Sequence, residues 1–170
     1  MTEVAPATGT LIRVFGGVDL EVSGRVSSVG GPRQRRLLAL LTARSGEVVS
    51  IDWLAEHLWS DSDRPEATAS ALRTYVSRLR QSFPEDARAW LLTESSGYRL
   101  EAPDGALEHH LFTALRTRAL QARESGDPTA AQNLLTTALE MWRGEPFREL
   151  EDLQWAQAEV ERLRLDRLEM

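Results

Sequence analysis

The sequence predicts two architectures in tandem: an α+β unit built of strands, three helices and a closing hairpin, followed by an all-α array. Three observations carry this. Apolar and polar positions alternate over residues 11–22 and again over 91–100, the helical period governs most of 32–83, and from Ala106 onward only the helical period remains.

Taken in order, residues 1–9 are small, polar and aperiodic and predict a disordered lead. Residues 11–15 and 18–22 alternate around Gly16-Gly17 and predict a hairpin, with 25–29 as a third strand. Gly30-Gly31-Pro32 opens a helix with proline in its first turn. Leu37, Leu38, Leu40 and Leu41 form its apolar face, and Ser45-Gly46 stops it. A short extension at Val48-Val49 leads to Ser50, placed to cap a second helix carrying Ile51, Leu54 and Leu58, with Asp52 in the first turn where the helix dipole favours an acid. The polar run 60–65 breaks the chain before a third helix over 68–83, which Pro84 closes. Residues 91–94 and 98–100, separated by Ser95-Ser96-Gly97, predict the terminal hairpin.

In the second half, Leu107, Leu111 and Leu115 share one stripe with Phe112 beside them, ending at Ser125-Gly126. Asp127-Pro128 restarts a helix that carries Ala131, Leu134, Leu135, Ala138 and Trp142. The connection is short enough to require antiparallel packing. A third helix begins near Asp152 with Trp155, Leu163 and Leu168 on its apolar side, still without a cap or partner at Met170. The pattern predicts the start of a longer helical array, each pair burying its face against the next. The expected division is a lead over 1–9, one unit over 10–102 and a truncated second over 103–170.

At 170 residues and 42% hydrophobic content, the chain is long enough for one ordinary core or two small ones. No run approaches the roughly 20 apolar residues of a membrane helix, and the first ten residues lack a secretory pattern, which predicts a cytoplasmic protein with no membrane partner. Zero cysteines exclude disulfides and thiolate metal sites, leaving His57, His109 and His110 as nitrogen ligands. The net charge of -6 disfavours a phosphate partner only until it is divided. Residues 1–100 hold 12 arginines and 12 acids, whereas residues 101–170 hold 8 and 14. All 20 basic residues are arginine, which reflects a GC-rich genome more than a physical demand, although the arginine fork also suits phosphate and guanine.

Catalytic arrangements are missing. There is no phosphate loop, dinucleotide fingerprint, glycine-flanked nucleophile or cysteine, so the reading is non-enzymatic, with no metal and no cofactor. His109-His110 are adjacent and point apart on a helix, which suits structural or solvent roles. Glu151-Asp152 fit helix-start charges.

What remains is the helix at 68–83. Leu72, Val76, Leu79 and Phe83 form one stripe, while Arg73, Thr74, Ser77, Arg78 and Gln81 lie elsewhere on its surface. One side packs, and the other has the length and chemistry to enter a DNA major groove. Arg73, Thr74, Ser77 and Arg78 are placed to reach base edges or phosphates, and Arg80 to neutralise backbone charge. The hairpin then serves as a wing, with Tyr98 and Arg99 near an adjacent phosphate or the minor groove. Tyr75, Trp53, Trp59 and Trp90 are expected to pack rather than stack on bases. Arg33, Arg35 and Arg36 start a helix where the dipole disfavours cations, which predicts either a phosphate or an acidic surface opposite them. A scaffold that binds only proteins is the competing class.

The phrases Gly31-Pro32-Arg33-Gln34-Arg35-Arg36-Leu37-Leu38, Leu54-Ala55-Glu56-His57-Leu58-Trp59, Leu72-Arg73-Thr74-Tyr75-Val76-Ser77-Arg78-Leu79-Arg80 and Gly97-Tyr98-Arg99-Leu100 resemble the Streptomyces antibiotic regulatory protein family. Phe112, Leu115, Gly126-Asp127-Pro128, Ala138-Leu139-Glu140-Met141-Trp142-Arg143-Gly144 and Trp155 resemble that family's bacterial transcriptional activation domain. The resemblance implies an α+β winged helix of the response-regulator output type followed by a tetratricopeptide-like all-α domain. It further implies a transcriptional activator that binds double-stranded DNA at direct repeats as a head-to-tail dimer and recruits RNA polymerase holoenzyme to secondary-metabolite (antibiotic) gene clusters. Carried over by position, Arg73, Thr74, Ser77 and Arg78 are recognition-helix contacts, with Arg80, Thr93, Tyr98 and Arg99 near the backbone. The chain departs from the pattern at Glu94, where many relatives carry a basic residue.

Overall fold

The computed structural model describes residues 9–170, so the expected lead over 1–9 lies almost wholly outside the described residues. A three-stranded antiparallel sheet comes first, in the order β1 (Thr10–Arg13), β2 (Asp19–Val22), β3 (Arg25–Ser27). Val22 pairs with Arg25 across Ser23-Gly24, both at positive φ, which is the tight turn that matches strand twist. The expected hairpin around Gly16-Gly17 is wider than the alternation suggests, since Arg13 pairs with Asp19 and residues 14–18 leave the ladder. Their backbone is claimed elsewhere: Val14 and Phe15 donate to the carboxylate of Glu108, and Val18 donates to Glu149.

Next come α1 (Pro32–Ala43), the two-residue strand β4 (Val49–Ser50), α2 (Ile51–Leu58) and α3 (Thr68–Ser82). Helix α1 starts at Pro32 and buries Leu37, Leu38, Leu40 and Leu41 completely. Each such leucine contributes on the order of 2 kcal/mol of burial. Ser50 caps α2 by accepting from the Trp53 amide at 3.2 Å. Helix α3 buries Leu72, Val76 and Leu79, with Phe83 at its C-cap. A 3-10 segment over Glu85–Trp90 then drops Ala87 and Trp90 into the core, an element with no periodicity to announce it.

The closing hairpin is β5 (Leu91–Thr93) and β6 (Gly97–Leu100). It is part of a three-stranded sheet, because β4 pairs along the other side of β6. Gly97 is required there: a Cβ at this position would lie 1.9 Å from the Val49 carbonyl oxygen.

The helical half consists of α4 (Glu108–Glu124), α5 (Pro128–Glu140) and α6 (Gln154–Leu168). Asp127 caps α5 by accepting from the Ala130 amide at 2.9 Å, and α4 and α5 pack together as the short turn requires. Helix α6 starts after the acidic pair rather than on it. It inserts Ala156, Val160 and Leu163, but Leu168, expected on the apolar side, is 82% exposed.

Packing is continuous across the linker between β6 and α4. Ile12 donates to the Ala106 carbonyl at 2.8 Å, and Phe15 stacks on Trp142 at 4.5 Å with Phe112 edge-on at 5.4 Å. On another side Trp53 and His57 of α2 meet Trp155 of α6, with the Arg44 guanidinium 4.8 Å from the Trp53 ring centre. The first sheet therefore acts as a shared wall between winged unit and helical array.

Candidate nucleic-acid interface

Helix α3 presents Arg73, Thr74, Ser77, Arg78 and Gln81 to solvent on the side opposite Leu72, Val76 and Leu79. Among the described residues, Arg73 and Arg78 form no ion pair. Arg73 donates only to its own helix, from Nε to the Ala69 carbonyl at 3.3 Å, and Thr74 donates to Ser70 at 3.2 Å. Two guanidinium groups are thus displayed with no acid among the described residues to neutralise them. Tyr75 packs edge-on against Trp59 at 5.9 Å, in keeping with a packing role.

Arg80 behaves differently from the expected backbone neutraliser. Its Nε and Nη2 donate to the Leu91 carbonyl at 3.0 and 2.7 Å, and Nη2 also donates to the Thr93 hydroxyl at 2.8 Å. This fork ties α3 to β5 and sets the offset between helix and wing. Thr93 remains exposed.

Within the wing, Tyr98 is 4% exposed, which corrects its expected place at the hairpin surface. The reason is strand period: Tyr98 and Leu100 are two residues apart, share a face, and that face is the core. Arg99 points to the other face, with Nη2 at 2.9 Å from Glu94 and 3.5 Å from Glu101.

The arginines that start α1 face acids of this same chain. Arg33 pairs with Asp63, and Arg35 approaches Glu149 at 3.9 Å. Arg36 makes two bonds to Asp152 at 2.7 and 2.8 Å while also donating to the carbonyls of His57 and Glu149. The Arg36 hydrogen bonds hold the Asp152 carboxyl below the usual carboxylate range. Asp152, expected as a helix-start charge, is therefore a cross-link from the helical array to α1.

One residue of this seam, Glu108, carried no expectation from the sequence. Glu108 is 1% exposed, and its carboxylate accepts from the Val14 and Phe15 amides at 2.6 and 2.9 Å and from Arg143 at 2.6 Å. Such a buried charge persists only with this degree of pairing. Its only signal was a lone acid between Leu107 and the histidine pair, with Leu111 and Phe112 following. His109 is also buried, against Phe147 and His110, and burial pushes its imidazole down to about 3, helped by the nearby charges of His110 and Arg162. The described residues contain no group of three or more histidines and acids able to hold a metal, and no helix long and apolar enough to cross a membrane.

Residues 28–100 match the family described as "Transcriptional regulatory protein, C terminal", and residues 107–170 match "Bacterial transcriptional activator domain". The chain is 34% identical over 146 residues to the regulatory protein AfsR of Streptomyces griseus, covering 85% of this chain and 15% of that protein. It is 30% identical over 138 residues to the transcriptional regulator RedD of Streptomyces coelicolor, covering 78% and 39%. A solved structure of Mycobacterium tuberculosis EmbR, in complex with a low-affinity phosphopeptide, superposes with a TM-score of 0.79 at 27% identity, covering 94% of this chain and 43% of that one. The chain thus spans less than half the length of each of these relatives. Three helices, a wing and an outward arginine face, continued by a helical activation segment, define a winged-helix transcriptional regulator. The chain belongs to the Streptomyces antibiotic regulatory protein family of transcriptional regulators.

Proposed function

We propose that this chain is the DNA-reading and activating part of a sequence-specific transcriptional activator. Helix α3 enters the major groove with Arg73, Thr74, Ser77 and Arg78 at base edges and phosphates, while Thr93 of the wing lies toward the backbone and Arg99 stays engaged by Glu94 and Glu101. Arg80 supports the contact by holding the wing to α3. Two protomers bind head to tail on direct repeats upstream of a promoter. The acidic helical half faces away and contacts RNA polymerase holoenzyme, and the regulated genes form a secondary-metabolite cluster. These assignments place the protein with the chromosome in the cytoplasm.

The observation that carries the reading is the pair of exposed arginines on α3 that have no acidic partner among the described residues, on a helix whose opposite stripe is buried. Selection from a pool of random duplexes tests it: a direct repeat should be enriched, at a spacing near one helical turn, about 10 base pairs. A pool that stays random would instead favour a scaffold that binds proteins alone.

A further inference from the structure

We infer that Glu94 sets the strength of the wing by holding Arg99 against the protein, so that removing the Glu94 charge converts a weak wing into a strong phosphate contact. This rests on the DNA-reading role proposed for α3. Between residues 91 and 101 the wing carries one arginine, Arg99, and two acids, Glu94 and Glu101. Both acids reach the same guanidinium nitrogen, at 2.9 and 3.5 Å. The Arg99 and Glu94 side chains are each 31% exposed, so their attraction is less screened than that of a fully solvated pair. Arg99 Nε is buried without a partner, which leaves the head group held at one end.

Glu94 owes its position to the backbone. Its amide donates to the Gly97 carbonyl at 2.9 Å, and the Gly97 amide donates back at 3.4 Å, closing the hairpin turn. Gly97 cannot shift, because β4 lies against it. Arg80 fixes β5 to α3. A wing so anchored meets DNA at a set offset, and the charge it brings is negative overall. A phosphate must displace two carboxylates to reach Arg99, whereas Arg73 and Arg78 require no displacement. The wing of the native chain therefore adds little to affinity, and its remaining neutral donors, Thr93, Ser95 and Ser96, add little salt dependence.

The test is a salt titration of binding by the full chain to the duplex obtained from the selection. Glu94→Gln, which preserves the turn, should tighten binding about three- to tenfold at low salt and steepen the slope of log affinity against log salt by about one. Arg99→Ala alone should change affinity less than about twofold, and adding it to Glu94→Gln should return affinity and slope to the native values. The inference is overturned if Glu94→Gln leaves both unchanged while Arg78→Ala weakens binding, or if Arg99→Ala alone weakens binding as much as Arg78→Ala. A native chain that binds no duplex would overturn the DNA-reading role itself, and this inference with it.

Discussion

Helix α1 carries Arg33, Arg35 and Arg36 in its first turns, and helix α3 carries Arg73 and Arg78 on its outer side. The first three each face an acid of the same chain, namely Asp63, Glu149 and Asp152, and two of those acids belong to the helical array. Arg73 and Arg78 face solvent. Equal charge thus serves two ends. On α1 it fastens the winged unit to the array, and on α3 it is left available for a polyanion. What separates the two is where the acids lie, which neither net charge nor local arginine density reveals.

That contrast breaks most visibly at the seam. Glu108→Ala removes the acceptor for two backbone amides and leaves Arg143 without its acid, a loss of about 3–5 kcal/mol expected in urea unfolding. Arg78→Ala should stay within about 0.5 kcal/mol of the native chain, as an exposed residue without an ion pair does. Comparable losses in the two variants would erase the distinction between fastening and displayed charge.

A second expectation concerns His109, at the same seam. Its folded pKa lies near 3, below the unfolded value of 6.5, so the unfolded chain binds the proton that the folded chain refuses. Stability due to this group is full above pH 6.5 and falls as pH drops toward 3, by about 2 kcal/mol at pH 5. His109→Gln should flatten this limb when unfolding is followed between pH 7 and pH 5. An unchanged slope would mean that the imidazole protonates in place.

Much of the frame was legible in the sequence. Period and punctuation located α1, α2 and α3, the caps at Ser50 and Asp127, and the antiparallel α4–α5 pair. What period cannot show is pairing between distant segments. Strand β4 has only two residues, too few for any alternation, and the 3-10 segment before β5 has none. The release of residues 14–18 from the first hairpin depends on Glu108, some 94 residues away. The same limit shaped the site. The outer side of α3 could be read from helical period, and the burial of Tyr98 was already implied by its spacing from Leu100. The engagement of Arg80 by Leu91, and of Arg99 by Glu94 and Glu101, depended on tertiary placement and hydrogen-bond direction.

The central claim is that the displayed arginines of α3, and not the fastened ones of α1, meet DNA. Salt titration of duplex binding by Arg78→Ala and Arg36→Ala, beside the native chain, tests it most directly. Arg78→Ala should weaken binding about fivefold or more and flatten the slope of log affinity against log salt by about one, whereas Arg36→Ala should leave that slope unchanged and lower only stability, by about 1 kcal/mol. A native slope in Arg78→Ala, or flattening confined to Arg36→Ala, would contradict the account.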